Sequence, residues 1–292
     1  MKKRVLALMM AALMVVSLAA CGSSDTSDTS DASADSAETE DTSADTEEDT
    51  AAEDTSDTES DVAAIQAAGT LVVGITDFEP MDYLDDSGEW IGFDADLARL
   101  VAEDLGVEIE FIEIDWDNKI LELDGGTIDC VWNGMTLTDE VAEAMNCTDA
   151  YLNNAQIVVM NADVIDNYTD TDSLAELSFA VEAGSAGAAA AEELGLNYTE
   201  LTAQSDALLE VASGSCDAAI IDSLMAAAMV GEGTSYEDLT YGLELTTEEY
   251  VIGCRVGSDL TDYINDELAA WAEDGTLQEV AETYGVQAAL VQ

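Results

Sequence analysis

Residues 131–141 read VWNGMTLTDEV. Val131 and Trp132 close an apolar run. Asn133, Gly134, Thr136 and Thr138 then offer an amide, a bare backbone and two hydroxyls. Asp139 and Glu140 fall in what reads as a first helical turn, where negative charge suits the helix dipole. The stretch is equipped to hold a small polar molecule by hydrogen bonds, yet it contains no cation. A second stretch, SGSCDAAIID (213–222), brings Asp222, a carboxylate, to the end of another apolar run.

Both stretches follow one pattern. LELDGGTIDCVWN and LLEVASGSCDAAIID each run helix, Gly, Asp, strand, and end on a polar residue, Asn133 or Asp222. In open α/β sheets ligands sit beyond the carboxyl ends of strands, so both residues point to a cleft. The surrounding sequence alternates in the same way. TLVVGIT (70–76) reads as a buried strand. DADLARLVAEDLG (94–106) reads as an amphipathic helix with Leu97, Leu100, Val101 and Leu105 on one face and Gly106 as its stop. VEIEFIEI, AQIVVM, LSFAVE and EEYVIGCRV read as further strands, and two helices flank Asp274-Gly275 near the end. Strands alternating with helices imply a parallel α/β sheet, and the restart after residue 154 implies two such units.

Composition narrows the function. The 292 residues carry 65 acidic groups, 6 basic ones and no His, a net charge of −59. Such a chain repels nucleic acid and anionic lipid, and a histidine catalyst or histidine metal site is excluded. No cysteine cluster has zinc spacing, and no cofactor is implied. Cys130, Cys216 and Cys254 lie in apolar runs and read as small buried hydrophobes, although an exported chain can also pair them with one another or with Cys147.

The start reads as an export signal: MKKR, an apolar run too short to span a membrane, then LAAC (18–21). The tetrapeptide resembles a bacterial lipobox, which makes Cys21 a lipidated N-terminus. The plainer reading is a cleaved signal followed by a chance Cys. Residues 22–61 are Ser, Thr, Asp, Glu, Ala and one Gly, without an aromatic, and read as a self-repelling tether.

Taken in order, LVVGITDFEPMDY, GEWIGFDADLARLVAEDLG, DWDNKILELDGGTIDCVWNGMTLTDE, AVEAGSAG, SGSCDAAIID and AEDGTLQEVAETYG make the chain similar to the family 3 extracellular solute-binding proteins, the amino-acid receptors of ABC importers. The resemblance runs from about Leu71 to Gly285. It implies a two-lobe, type II periplasmic-binding-protein-like α/β fold, closing on ligand about two hinge strands. Lobe one is then 62–153 plus 249–292 and lobe two 154–248, with hinges near Asn153–Gln156 and Glu249–Ile252. It also implies a monomer on the outer face of the cell membrane, with an amino acid or amine as ligand and an ABC permease as partner.

Site roles follow from the resemblance. Phe78 matches an aromatic that packs on the ligand, or else fills the core, and Asp77 beside it meets a ligand cation or caps a turn. Asn133, Gly134 and Thr136 match the segment that holds the ligand's carboxylate and amine; Thr136 is equally a helix cap. Gly184 and Ser185 match the loop that closes on the carboxylate, and Asp222 matches the acid for the α-ammonium. The family's usual Arg clamp is missing, because residue 141 is Val. Lys119 is the best replacement, while Arg99 reads as a surface residue and Arg255 as structural. Alternatively the ligand lacks an α-carboxylate or carries excess positive charge, with Asp77, Glu182 and Asp222 forming an acidic pocket and Trp132 and Trp116 adding cation–π faces. The rival readings are a dehydratase-like enzyme on this fold, with Glu182 or Asp77 as acid or base, and a sensor for a membrane receptor.

Overall fold

The computed structural model describes residues 60–291. The expected signal peptide, Cys21 and most of the expected tether lie outside the described residues. The end of that tether is part of the fold. Ser60 caps helix α1 (Asp61–Ala68), its hydroxyl accepting from Ala63 N–H at 3.0 Å. Asp61 ion-pairs with Arg255 at 3.2 Å.

Strand β1 (Thr70–Ile75) leads through the short hairpin β2 (Tyr83–Leu84) and β3 (Trp90–Ile91) into α2 (Phe93–Leu105). Phe93, Leu97, Val101 and Leu105 of α2 are buried at helical spacing, and Gly106 ends the helix in a left-handed conformation, φ 74°. β4 (Glu108–Glu113), α3 (Lys119–Asp124), β5 (Cys130–Thr136), α4 (Asp139–Ala144), β6 (Asn146–Cys147) and β7 (Leu152–Asn154) complete the first pass. The second unit contains β8 (Gln156–Asn161), β9 (Ser178–Glu182), α5 (Ala186–Glu193), β10 (Asn197–Leu201), α6 (Gln204–Ser213), β11 (Ala218–Asp222), α7 (Ser223–Met229) and β12 (Leu239–Glu244). The chain then returns through β13 (Glu248–Cys254) to α8 (Leu260–Asp274) and α9 (Thr276–Tyr284).

The first sheet has the order β4-β1-β5-β13-β6, and β7 also pairs with β13. The second has the order β10-β9-β11-β8-β12. In each, three parallel strands are joined by an antiparallel one, β13 in the first and β8 in the second. Apolar residues bury both faces of each sheet. Trp132 and Cys130 of β5 pack towards α2 and α8, and Val131 and Met135 pack towards α3 and α4. In the second sheet Ala219 and Ile221 face α6 and α7, and Ala218 and Ile220 face α5.

The crossings between sheets lie side by side: Asn154 pairs with Glu248 and Asn153 with Glu249. The outward crossing is at residues 154–156. The return lies at residues 244–248, slightly ahead of the expected Glu249–Ile252, which are held inside β13 against β5 and β7. Strands β10 and β12, and the short β2, β3, β6 and β7, are not among the strands expected from the sequence. All four described cysteines are free thiols. Among the described residues no helix is long and apolar enough to cross a membrane.

Candidate ligand-binding site

The carboxyl ends of β5, β9 and β11 face one cavity of about 270 Å³, walled on both sides. From the first sheet and its helices come Trp116, Lys119, Asn133, Gly134, Met135, Thr136 and the start of α4, including Val141. From the second come Glu182, Gly184, Ser185, Ala186, Ala189, Gln204 and Asp222. Eight residues expected from sequence thus line one space: Lys119, Asn133, Gly134, Thr136, Glu182, Gly184, Ser185 and Asp222.

Three expected residues stand elsewhere. Phe78 is 2 % exposed and packs edge-on against Tyr250, ring centroids 6.4 Å apart. It lies behind Gly134, where a Cβ would meet its ring at 2.7 Å, so it is core rather than ligand wall. Trp132 is fully buried, because its place in β5 turns it towards α2 and away from the cavity. Asp77 is exposed outside the cavity and accepts a long hydrogen bond, 3.5 Å, from Ser205 of the opposite lobe. Trp116 does line the cavity, with the Lys119 ammonium 4.9 Å from its ring centroid.

Asn133 is held by its own side chain. Its Oδ1 accepts from Thr76 N–H at 2.9 Å and its Nδ2 donates to Thr76 Oγ1 at 2.8 Å, which ties β5 to the end of β1. Gly134 has φ 55° and donates its N–H to Asp94 at 2.6 Å. The α4 cap is Thr138 rather than Thr136: Thr138 Oγ1 accepts from Val141 N–H at 3.1 Å, and Thr136 ends β5. Ser185 caps α5 by accepting from Ala188 N–H at 3.1 Å. Ser185 and Ala186 bring the start of α5 to the cavity wall, and a helix start of this kind favours an anion.

Lys119 is the sole base in the lining. It reaches across the cleft and donates to Gly184 O at 3.0 Å and to Trp116 O at 3.3 Å. Burial pulls its pKa down, opposed by Glu140, Glu182 and Asp117. The other two described cations are engaged elsewhere. Arg99 pairs with Asp96 at 3.0 Å, and Arg255 bridges Asp61 and Asp129 at 3.2 Å each.

Asp222 is 4 % exposed and held by four donors: Tyr250 OH at 2.7 Å, Gln156 Nε2 at 3.0 Å, and the amides of Gln204 and Asn154. Asn154 and Gln156 also donate to Glu248, at 2.7 and 2.6 Å, so the site acid is wired to both interlobe crossings. Burial first, then the charge of Glu248, pushes the Asp222 carboxyl up to about 7. Glu182 is 2 % exposed, and its Oε1 has no hydrogen-bond partner. Burial, with the Asp222 charge adding and Lys119 opposing, lifts it to about 8. Gln204, Asn154, Gln156 and Tyr250 are not among the residues expected at the site. They carry no motif, and only the fold brings them to Asp222. No group of residues suited to a metal ion occurs among the described residues.

Residues 71–287 match the model for bacterial extracellular solute-binding proteins, family 3. The chain belongs to this family. A probable histidine-binding protein of Neisseria gonorrhoeae is 28 % identical over 223 residues, covering 73 % of this chain and 81 % of that protein. The L-cystine-binding protein TcyJ of Escherichia coli is 27 % identical over 238 residues, covering 75 % and 84 %. Among solved structures, the P235GK mutant of ArgBP from T. maritima superposes with a TM-score of 0.72 at 29 % identity, covering 77 % of this chain and 98 % of that one. The fold of this family 3 protein is accordingly the two-lobe type II periplasmic-binding-protein fold, and the cavity lies between the lobes.

Proposed function

We propose that this protein is a lipid-anchored, extracytoplasmic receptor that captures an amino acid or related amine between its lobes and delivers it to the permease of an ABC importer. Cys21 would carry the lipid, the acidic residues after it the reach, and 62–153 plus 249–292 and 154–248 the two lobes. The observation that carries the reading is one cavity, lined from both sheets, in which a buried carboxyl, Asp222, and a buried ammonium, Lys119, are both present. Asp222 would hold the ligand's ammonium. Lys119, with the N–H groups at the start of α5, would hold its carboxylate in place of the absent Arg. A ligand that touches both lobes stabilises the closed form because only that form offers both sets of contacts. No residue is assigned a catalytic role.

Thermal unfolding against amino acids, diamines and small peptides tests this. A ligand present at about 100 times its Kd should add about 2.7 kcal/mol to stability. The gain from α-amino acids should vanish in Lys119→Ala. If no amino acid or amine shifts the transition, the receptor reading is wrong.

A further inference from the structure

Given the receptor function proposed above, we propose that the ligand is a basic amino acid, and that Glu182 is the residue that reads its side-chain cation.

The charges around the cavity are lopsided. Its lining carries one base, Lys119, against four acids, Asp139, Glu140, Glu182 and Asp222. Asp139 and Glu140 are exposed at the rim, where water and salt screen them. Glu182 and Asp222 are 2 % and 4 % exposed, where charge is not screened. A neutral amino acid brings one ammonium and one carboxylate. Asp222 and Lys119 answer those two groups, and Glu182 is left over.

The state of Glu182 differs from that of Asp222. Four side-chain donors from the protein surround Asp222 and offset part of the cost of burying its charge before any ligand arrives. Glu182 has only Gln204 as a hydrogen-bonding neighbour, a buried Oε1 without a partner, and no ion pair with a protein cation. Lys119, its nearest opposing charge, gives its hydrogen bonds to Gly184 O and Trp116 O. A buried carboxylate left in this way is unfavourable unless a proton or an incoming cation answers it. Asp82 is also buried with unpartnered oxygens, but it sits in the core beside Asp94, away from the cavity. Among the described residues Glu182 alone combines the unmet acceptor with a place in the lining. Val141 completes the pattern: where the family usually has a guanidinium, this cavity has an aliphatic side chain, so no second protein cation competes for Glu182.

The test uses matched ligand pairs on the unaltered protein: L-lysine against L-norleucine, and L-arginine against L-citrulline, with Kd from titration calorimetry. In at least one pair the charged ligand should bind roughly 10- to 100-fold more tightly, the range for a hydrogen bond to a buried charged group. Glu182→Gln should lose most of that preference while its melting temperature without ligand is held or raised. Neutral and charged partners binding within about threefold of each other would overturn the inference and leave the receptor reading intact. An unchanged preference in Glu182→Gln would remove Glu182 from the role. Cadaverine or agmatine binding as tightly as its parent amino acid would overturn the amino-acid class. Failure of every amino acid and amine, charged or neutral, would instead strike the receptor reading itself.

Discussion

Gly184 lies against Asp117 of the opposite lobe, and an added methyl there should act as a wedge. Its φ is +67°, and a Cβ would stand 2.8 Å from both Cα and Oδ1 of Asp117 on the opposite lobe. The backbone Cα cannot swing aside as a side chain can. Gly184→Ala therefore carries two penalties. The left-handed backbone costs about 1 kcal/mol whether the lobes are together or apart. The collision costs about 1–2 kcal/mol, the lower part of the range for overpacking, and only while the lobes are together. Gly195 separates the two, since its φ is +64° and nothing lies within 4 Å of its added Cβ. Gly195→Ala should thus lower stability by the backbone term and leave affinity alone. Gly184→Ala should lower stability similarly and also weaken ligand binding by roughly 5- to 30-fold. Melting temperatures without ligand and calorimetric Kd values for both variants read this out. Equal Kd values for the two would refute the claim that this contact belongs to the closed, ligand-holding form.

Other consequences follow from buried groups. Glu182 and Asp222 are raised to about 8 and about 7 from 4.5 and 3.8, so between those limits the folded protein without ligand holds protons that the unfolded chain has released. Their contribution is complete at low pH and is lost as pH rises through 7 and 8; the melting temperature should fall from pH 5.5 to 8.5, and less steeply in Glu182→Gln. Equal slopes in the two proteins would contradict the burial of Glu182. Gly187→Ala puts a Cβ 2.8 Å from Ile220 O and 3.0 Å from Gln156 Oε1, which should destabilise the second lobe by about 1–3 kcal/mol in urea unfolding. Cys130 and Cys254 are fully buried, and burial pushes Cys254 up to about 12. Peptide mapping after iodoacetamide treatment of the native protein should find Cys147 and Cys216 alkylated and Cys130 and Cys254 untouched until unfolding.

Where the sequence and the structure agree, one strong local pattern does the work. β1, β5, β8, β9 and β11 are apolar runs closed by Gly or polar residues, and α2 and α6 end on left-handed glycines, Gly106 and Gly214. β10 and β12 escaped because NYTEL and LTYGLE are edge strands with little apolar alternation to read. Lys119, Glu182 and Asp222 were legible because a charge beside a strand end or helix start in an α/β repeat has few places to go except the cleft. Phe78 and Trp132 were misplaced for the opposite reason. An aromatic near a strand end has an apolar wall on either side, and the choice depends on register: Phe78 is drawn behind Gly134 by Tyr250, and Trp132 alternates with the cavity-lining Asn133. Val141 shows the same limit in a charged setting. Its identity alone says that a cation is missing from α4. The sequence already offers Lys119 of α3 as the replacement, and the fold adds that its ammonium is bonded to the far lobe through Gly184 O at 3.0 Å. A cation in that position answers a ligand carboxylate and the lobe contact together, so its loss should weaken closure as well as recognition, whereas loss of the Glu182 charge should change only which ligand is preferred.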